Sequence, residues 1–300
     1  MPEYPDITVY IERLQYFITG KELLRVRIAN PFFLRTFSPP LEVIHGLTLD
    51  DIERMGKRIV FAFAGEYYLV LHLMISGRLY WHEAGYKIPK KRGLAALDFP
   101  NGTLLVTEVS TQKRASLHLV NGRDQLNQFD RGGLEVLKAS LQEFSAAVRR
   151  ENHTLKRTLT DPQIFSGIGN AYSDEILHHA GLSPVLQTKN LTNEQIRRLC
   201  KSTKEVLMER TQWIRDEVRE GFPQKVTAFR DDMSVHGRYG KPCPKCGSTV
   251  QRIRYLSNET NYCPGCQTGG RLLADRSLSR LLKQDWPRTP EELEEIKVGK

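Results

Sequence analysis

The stretch Cys243-Pro244-Lys245-Cys246-Gly247, answered sixteen residues later by Cys263-Pro264-Gly265-Cys266-Gln267, sets two CxxC pairs at C-x2-C-x16-C-x2-C spacing. Four thiolates so spaced suit a tetrahedral zinc ion with no open position, which makes the site structural rather than catalytic. Between the pairs, Val250-Gln251-Arg252-Ile253-Arg254-Tyr255 alternates apolar and polar residues like a strand, so the module predicts a small β-hairpin finger. Arg238, Lys241, Lys245, Arg252 and Arg254 make it basic, with Glu259 its only acid. Such a ribbon can grip nucleic acid, and it can equally dock a protein or add stability; the charge favours nucleic acid.

The rest of the composition agrees with that compartment and charge. The chain has 300 residues, long enough for two domains, with 44 Lys+Arg against 35 Asp+Glu and a net charge of +9. A basic surface favours anionic partners. Five cysteines are an odd count for a disulfide framework, and pairing four of them for metal points to a reducing cytoplasm. Cys200 is expected as a buried thiol. No apolar run reaches the roughly 20 residues of a membrane span, and Met1-Pro2-Glu3-Tyr4-Pro5-Asp6 does not begin a secretory signal.

Upstream of the finger lies Asp161-Pro162-Gln163-Ile164-Phe165-Ser166-Gly167-Ile168-Gly169-Asn170-Ala171-Tyr172-Ser173-Asp174-Glu175-Ile176-Leu177. Helical spacing flanks a tight turn in which Gly167 and Gly169 free the backbone. With Asn170 as a candidate cap, exposed N–H groups at a helix start would bind phosphate. A corner that uses glycine only for packing fits the same residues. Helical spacing extends from Gly133 to about Met233. Before Asn121, Ile7 to Ile18 predicts one helix, ending at Gly20. Strand-like runs then follow at Ile59–Ala64, Tyr67–Leu73, Leu104–Val109 and Ser116–Val120, with turn signals at Gly65-Glu66 and Asn101-Gly102.

At the N-terminus, removal of Met1 would leave the secondary amine of Pro2. An α-amino group titrates near 8, so a useful fraction is unprotonated at neutral pH. Beside the carboxyl of Glu3, that amine could attack an electrophilic sugar carbon. Taken alone, Met-Pro-Glu is also an ordinary way for a chain to begin.

Taken together and in order, Pro2-Glu3-x-Pro5-Asp6, Gly56-Lys57, His72-Leu73 through Ser76-Gly77, Leu155-Lys156 through Gly169-Asn170, and the finger's Thr260-x-Tyr262-Cys263-Pro264-x-Cys266-Gln267 carry a likeness. The chain resembles the formamidopyrimidine-DNA glycosylase and endonuclease VIII family of base-excision enzymes, from residue 2 to about Gln267. The resemblance implies an α+β fold. An N-terminal β-sandwich with an N-terminal helix precedes a helix–two-turns–helix domain, and the latter carries the four-cysteine zinc finger. The corresponding expectation is a sandwich over 1–125, a helical DNA-binding domain over 126–235, the finger over 236–268 and a partly helical extension over 269–300.

The resemblance also implies roles. Pro2 is the Schiff-base nucleophile, Glu3 the proton donor and Lys57 a phosphate contact that assists catalysis. Lys156, Gly167, Gly169 and Asn170 form the backbone clamp. The partner is double-stranded DNA containing a damaged base or an abasic site, met by a monomer in a bacterial-type cytoplasm, on the nucleoid. One structural zinc sits at Cys243, Cys246, Cys263 and Cys266. The expected activity is glycosylase with abasic-site lyase; the alternative is a non-enzymatic damaged-DNA-binding descendant.

Three positions depart from the family. Five residues before the third cysteine the family carries a phosphate-holding arginine; here Asn258 stands there, and Arg254 is a candidate to reach across. The methionine that fills the hole in the duplex is replaced by Ile75, still an apolar wedge. The Asp-Pro-Arg-Arg-Phe-Gly loop that contacts the opposite strand corresponds to residues 107–115, where Lys113 and Arg114 keep charge but no aromatic ring is present. The preferred lesion is therefore open between 8-oxoguanine and oxidised pyrimidines. Lys87, Lys90, Lys91 and Arg92 add a basic cluster, either an extra phosphate contact or a solvated face. His82, His178 and His179 are expected to be structural or surface residues outside any ligand set. The tail, with Arg271, Arg276, Arg280 and Lys283 and with Leu272, Leu273, Leu278, Leu281 and Leu282, suggests a short docked helix.

Overall fold

Pro5 near the start of a helix, and reciprocal hydrogen bonds between Glu3 and Asp6, begin the first element, α1 (Tyr4–Ile18). The Glu3 N–H donates to Asp6 Oδ2 at 2.9 Å, and the Glu3 carboxylate accepts from the Asp6 N–H. Ile7, Tyr10, Ile11, Leu14 and Ile18 recur every three or four residues and are all buried. Gly20, at φ 73°, releases the chain from the helix.

These elements come from a computed structural model, which describes residues 1–224, 226, 230, 232–255, 258–274, 287–289 and 292. The tail residues Arg276, Leu278, Arg280, Leu281, Leu282 and Lys283, with the helix expected there, lie outside the described residues. The chain divides into two compact units. One comprises Met1–Gly133 with Met208–Thr227, the other Leu134–Leu207 with Ala228–Lys300.

The first unit is a β-sandwich. Strands β1 (Arg25–Ile28), β2 (Leu49–Met55), β3 (Arg58–Phe63), β4 (Tyr67–His72), β5 (Gly77–His82), β6 (Gly93–Phe99), β7 (Gly102–Glu108) and β8 (Ser116–Asn121) form two antiparallel sheets. Their orders are β2-β3-β4-β8 and β1-β6-β7-β5. Alternation puts Ile59, Phe61 and Phe63 with Leu69, Leu71, Leu117 and Leu119 into the core shared with α1. Val60, Val70 and Val120 on the other face meet Leu126 of helix α2 (Arg123–Asn127). Each fully buried Leu or Phe contributes roughly 1.5–3 kcal/mol. The hairpin expected at Gly65-Glu66 is present: Phe63 pairs with Tyr67, and Gly65 and Glu66 in the connection both take positive φ (78° and 59°). Residues 208–227 bring Phe222 and Val226 into the same core, and Arg215 pairs with Glu12 of α1.

In the second unit, helices α3 (Leu141–Arg149), α4 (Leu155–Thr160) and α5 (Asn170–His179) precede the long α6 (Asn193–Val218), of which the residues up to Leu207 belong to this unit. Ser140 and Glu143 form a capping box at α3, and Thr154 caps α4. Helical spacing had been expected to run on to Met233; α6 ends at Val218 instead, ahead of Gly221 and Pro223. The finger follows as strands β9 (Gln251–Tyr255) and β10 (Asn258–Tyr262), in antiparallel register with Arg254 opposite Glu259. The short helix α7 (Pro264–Gln267) closes the second cysteine knuckle. The mixed fold with a sandwich and a four-cysteine hairpin finger is thus the one anticipated.

Candidate active site and zinc centre

Because Glu3 caps α1, the start of the chain is drawn in with the helix: Met1 is half-buried, Pro2 is buried and Glu3 is only 1% exposed. Burial pushes the Met1 amino group below its ordinary pKa; Glu3 opposes the shift, while the cations Arg78 and Lys57 add to it. One amine, one carboxylate and two cations thereby share a corner. Lys57 reaches it from the β2–β3 turn, where Gly56 takes φ 62°. Arg78 was not foreseen. It follows the Ser76-Gly77 loop directly, and its guanidinium donates to the carbonyls of Ile75 (3.3 Å) and Gly77 (2.6 Å).

That guanidinium fastens the corner to the loop 73–77. Gly77 is obligatory there, since a Cβ would lie 2.3 Å from the Leu73 carbonyl oxygen. Met74 is held at φ 51°, and Ile75 has 57% of its surface exposed. Ser76 Oγ donates to Oε1 of Glu108 at 3.1 Å. Glu108, itself 1% exposed, accepts through Oε2 from the N–H groups of Arg114 (2.9 Å) and Ala115 (3.1 Å). Lys113 folds back to donate to the Glu108 carbonyl, and Arg114 donates to Gln112 at 2.7 Å. A buried carboxylate at the end of a strand, in a polar loop, was the available signal for this role.

In the second unit, Gly167 takes φ 81° and Gly169 is the N-cap of α5 in extended backbone. Asn170 is thus the first helical residue rather than the cap. Its side-chain amide donates to the Glu259 carbonyl in the finger at 3.0 Å. Lys156 Nζ donates to the Asn170 carbonyl (2.6 Å) and pairs with the buried Asp174. Asp174 Oδ2 also takes His236 Nδ1 at 2.8 Å and the Asn261 N–H at 3.1 Å. Glu175 accepts from three successive N–H groups, Ser234, Val235 and His236, at 2.8 to 2.9 Å. Two adjacent carboxylates of α5 therefore fix the finger to the glycine turn. Asn258 and Arg254 are exposed, and Arg254 faces Glu259, not Asn258, across the hairpin.

The cysteine sulfurs converge as a zinc site needs. Cys246 and Cys263 lie 3.3 Å apart and Cys243 and Cys266 3.9 Å, against about 3.8 Å for the edge of a zinc–thiolate tetrahedron. A hydrogen bond from Ser248 lowers the Cys246 thiol to about 6, whereas burial raises Cys266 to about 11 and Cys263 further still. A bound dication is what makes four thiolates favourable so close together. The donor set therefore fits one structural zinc. His178, expected to stand outside any ligand set, does not: its Nε2 is 3.3 Å from Cys243 Sγ. It forms with Cys243, Cys263 and Cys266 a group whose ligand atoms all lie within 4.8 Å of one another. The last turn of α5 carries it there, a placement invisible in its spacing.

Three segments match known families: residues 1–121 the formamidopyrimidine-DNA glycosylase N-terminal domain, 134–218 the formamidopyrimidine-DNA glycosylase H2TH domain, and 240–269 the zinc finger found in FPG and IleRS. An uncharacterized formamidopyrimidine-DNA glycosylase-like protein of Mycobacterium tuberculosis is 38% identical over 151 residues, covering 50% of this chain and 94% of that one. The chain belongs to the formamidopyrimidine-DNA glycosylase and endonuclease VIII family. Formamidopyrimidine-DNA glycosylase of Desulfitobacterium hafniense is 29% identical over 289 residues, spanning 89% of this chain and all of that protein. Among solved structures, Lactococcus lactis Fpg in complex with abasic-site DNA superposes with a TM-score of 0.78 at 24% identity. That match covers 89% of this chain and 99% of the other. MutM in complex with DNA containing carbocyclic 8-oxo-G also superposes at 0.78, with 23% identity and 89% and 100% coverage. Among the described residues no helix is long and apolar enough to cross a membrane.

Proposed function

We propose that this member of the family is a DNA base-excision enzyme, a glycosylase with abasic-site lyase activity. The observation that carries the reading is the N-terminal corner: a buried carboxylate, Glu3, directly follows the buried Pro2, and Arg78 and Lys57 act on the same chain terminus. Binding alone has no use for a desolvated amine–carboxylate pair.

Once Met1 is removed, the Pro2 nitrogen becomes the reactive amine. A damaged nucleotide leaves the base stack, at a cost of a few kcal/mol that is lowest for poorly paired bases. Glu3 supplies a proton that opens the sugar, and the Pro2 lone pair attacks C1′ as the bond to the base breaks. The resulting iminium acidifies C2′–H. Loss of that proton and departure of the 3′ phosphate cut the strand. Lys57 and Arg78 offset charge on the phosphates and on developing oxyanions. Ile75 fills the space vacated in the duplex, and the glycine turn with Lys156 and Asn170 binds backbone phosphate. Lys113 and Arg114 lie along the strand opposite the lesion, and Arg254 and Asn258 serve the finger's backbone contact.

Borohydride trapping tests this reading. Protein confirmed to begin at Pro2 should form a covalent adduct with duplexes carrying an abasic site, 8-oxoguanine or an oxidised pyrimidine. Absence of an adduct on all three would sink it.

A further inference from the structure

The loop 83–92, Glu83-Ala84-Gly85-Tyr86-Lys87-Ile88-Pro89-Lys90-Lys91-Arg92, carries four cations and one acid. All four basic side chains are exposed, and among the described residues none makes a hydrogen bond or an ion pair. A mobile lysine-rich loop would be unremarkable, but this one is fastened at both ends. Arg27 donates to the Tyr86 carbonyl at 2.7 Å, and the Tyr86 ring stacks on His82 with centroids 3.8 Å apart. At the far end the Gly93 N–H returns to the Pro89 carbonyl at 2.8 Å. Ile88 packs so closely over Gly93 that a Cβ there would stand 2.2 Å from it.

The decisive bond is the next one: the Glu108 N–H donates to the Arg92 carbonyl at 2.8 Å. Glu108 is the residue whose carboxylate holds the loop 73–77 through Ser76 and the loop 110–115 through Arg114 and Ala115. Three loops thus attach to one strand end, and they carry the exposed Ile75, Arg114 and the run Lys90-Lys91-Arg92. Cations gathered at neighbouring positions in a loop favour an anion lying across them. A regularly spaced polyanion does so best, releasing its counterions as it binds.

We propose that loop 83–92 is an accessory grip on the phosphate backbone of duplex DNA, set beside the wedge loop and held there by Glu108. This rests on the DNA-repair reading above. It adds a contact outside the reacting corner, so the loop contributes affinity and salt dependence while leaving the chemistry unchanged.

The test uses the full chain carrying Lys90→Gln, Lys91→Gln and Arg92→Gln together. Its control carries Arg197→Gln, Arg198→Gln and Lys201→Gln on the exposed face of α6, with the same loss of charge. Affinity for a duplex holding a tetrahydrofuran abasic analogue is measured from 50 to 200 mM salt. With about 0.9 counterion released per phosphate, the loop triple should flatten the slope of log affinity against log salt by about 2 to 3. The control should keep the wild-type slope, and both should melt like wild type. Trapping of saturated complexes should not change. A wild-type slope in the loop triple, or an equal loss in the control, overturns the proposal. So does selective loss of binding to anionic lipid vesicles with DNA binding intact. Unchanged slope with normal wild-type trapping removes the grip alone; a flattened slope with no wild-type trapping removes the enzymatic reading alone.

Discussion

Ser76 and Glu108 are joined by a hydrogen bond of 3.1 Å that ties the loop 73–77, with its exposed Ile75, to a buried carboxylate. The other oxygen of that carboxylate already serves two N–H groups of the loop that follows β7. Glu108→Ala removes both acceptor oxygens and leaves the N–H groups of Arg114 and Ala115 without their partner. We expect a loss of about 1–3 kcal/mol in stability. Affinity for abasic duplex should fall several-fold, with little change in trapping once complex is saturated. Melting curves and binding titrations check this; unaltered affinity would mean the loops hold their places without Glu108.

Glu3 has a structural task and, in the proposed mechanism, a chemical one, and substitution can separate them. As the N-cap of α1 it contributes about 1 kcal/mol, most of which Gln can retain through its carbonyl oxygen. As a proton donor it cannot be replaced by an amide. Glu3→Gln should therefore melt close to wild type yet excise damaged bases about 10²- to 10⁴-fold more slowly. Pro2→Gly should weaken borohydride trapping. Normal excision by Glu3→Gln would remove Glu3 from the chemistry.

His72 makes stability depend on pH. Burial, helped by Arg58, Lys57 and His118, lowers it from 6.5 to about 4. Between those values the unfolded chain takes up a proton that the folded chain refuses, so stability falls as pH drops from 6.5 towards 4 and is whole above 6.5. The contribution reaches up to about 3 kcal/mol. His72→Gln should flatten this part of the denaturation-versus-pH curve, leaving the smaller share due to His118, also lowered by burial. An unchanged slope would show that His72 protonates in the folded state.

The metal centre predicts one zinc per chain by elemental analysis. Cys243→Ser should lower metal content, melting temperature and DNA affinity together. His178→Phe removes the imidazole 3.3 Å from the Cys243 sulfur and should speed metal transfer to a chelator at unchanged stoichiometry. Equal release rates would reduce His178 to packing.

Much of this was legible because it is local. Two CxxC pairs, a glycine turn, a Gly-Glu hairpin and alternating strands each announce themselves within a few residues. Pairings that bridge distant parts of the chain did not. Nothing near Asp174 in the sequence shows that it joins Lys156, His236 and Asn261, and His178 looks like any helical histidine until α5 delivers it to Cys243. Asn170 was misplaced by one position because Asn is a common cap, yet Gly169 takes the extended backbone there and leaves the amide free to reach Glu259.

The enclosure of Pro2 and Glu3 has a practical side. In most proteins the first residues are a loose thread to which an affinity tag can be sewn without harm. Here the leading end is an interior part, seated by the helix behind it. An extension would have to displace the corner it passes through and would leave no free imino nitrogen on Pro2. Under the proposed mechanism, a preparation tagged at the front would read as an inactive enzyme for reasons unrelated to its sequence.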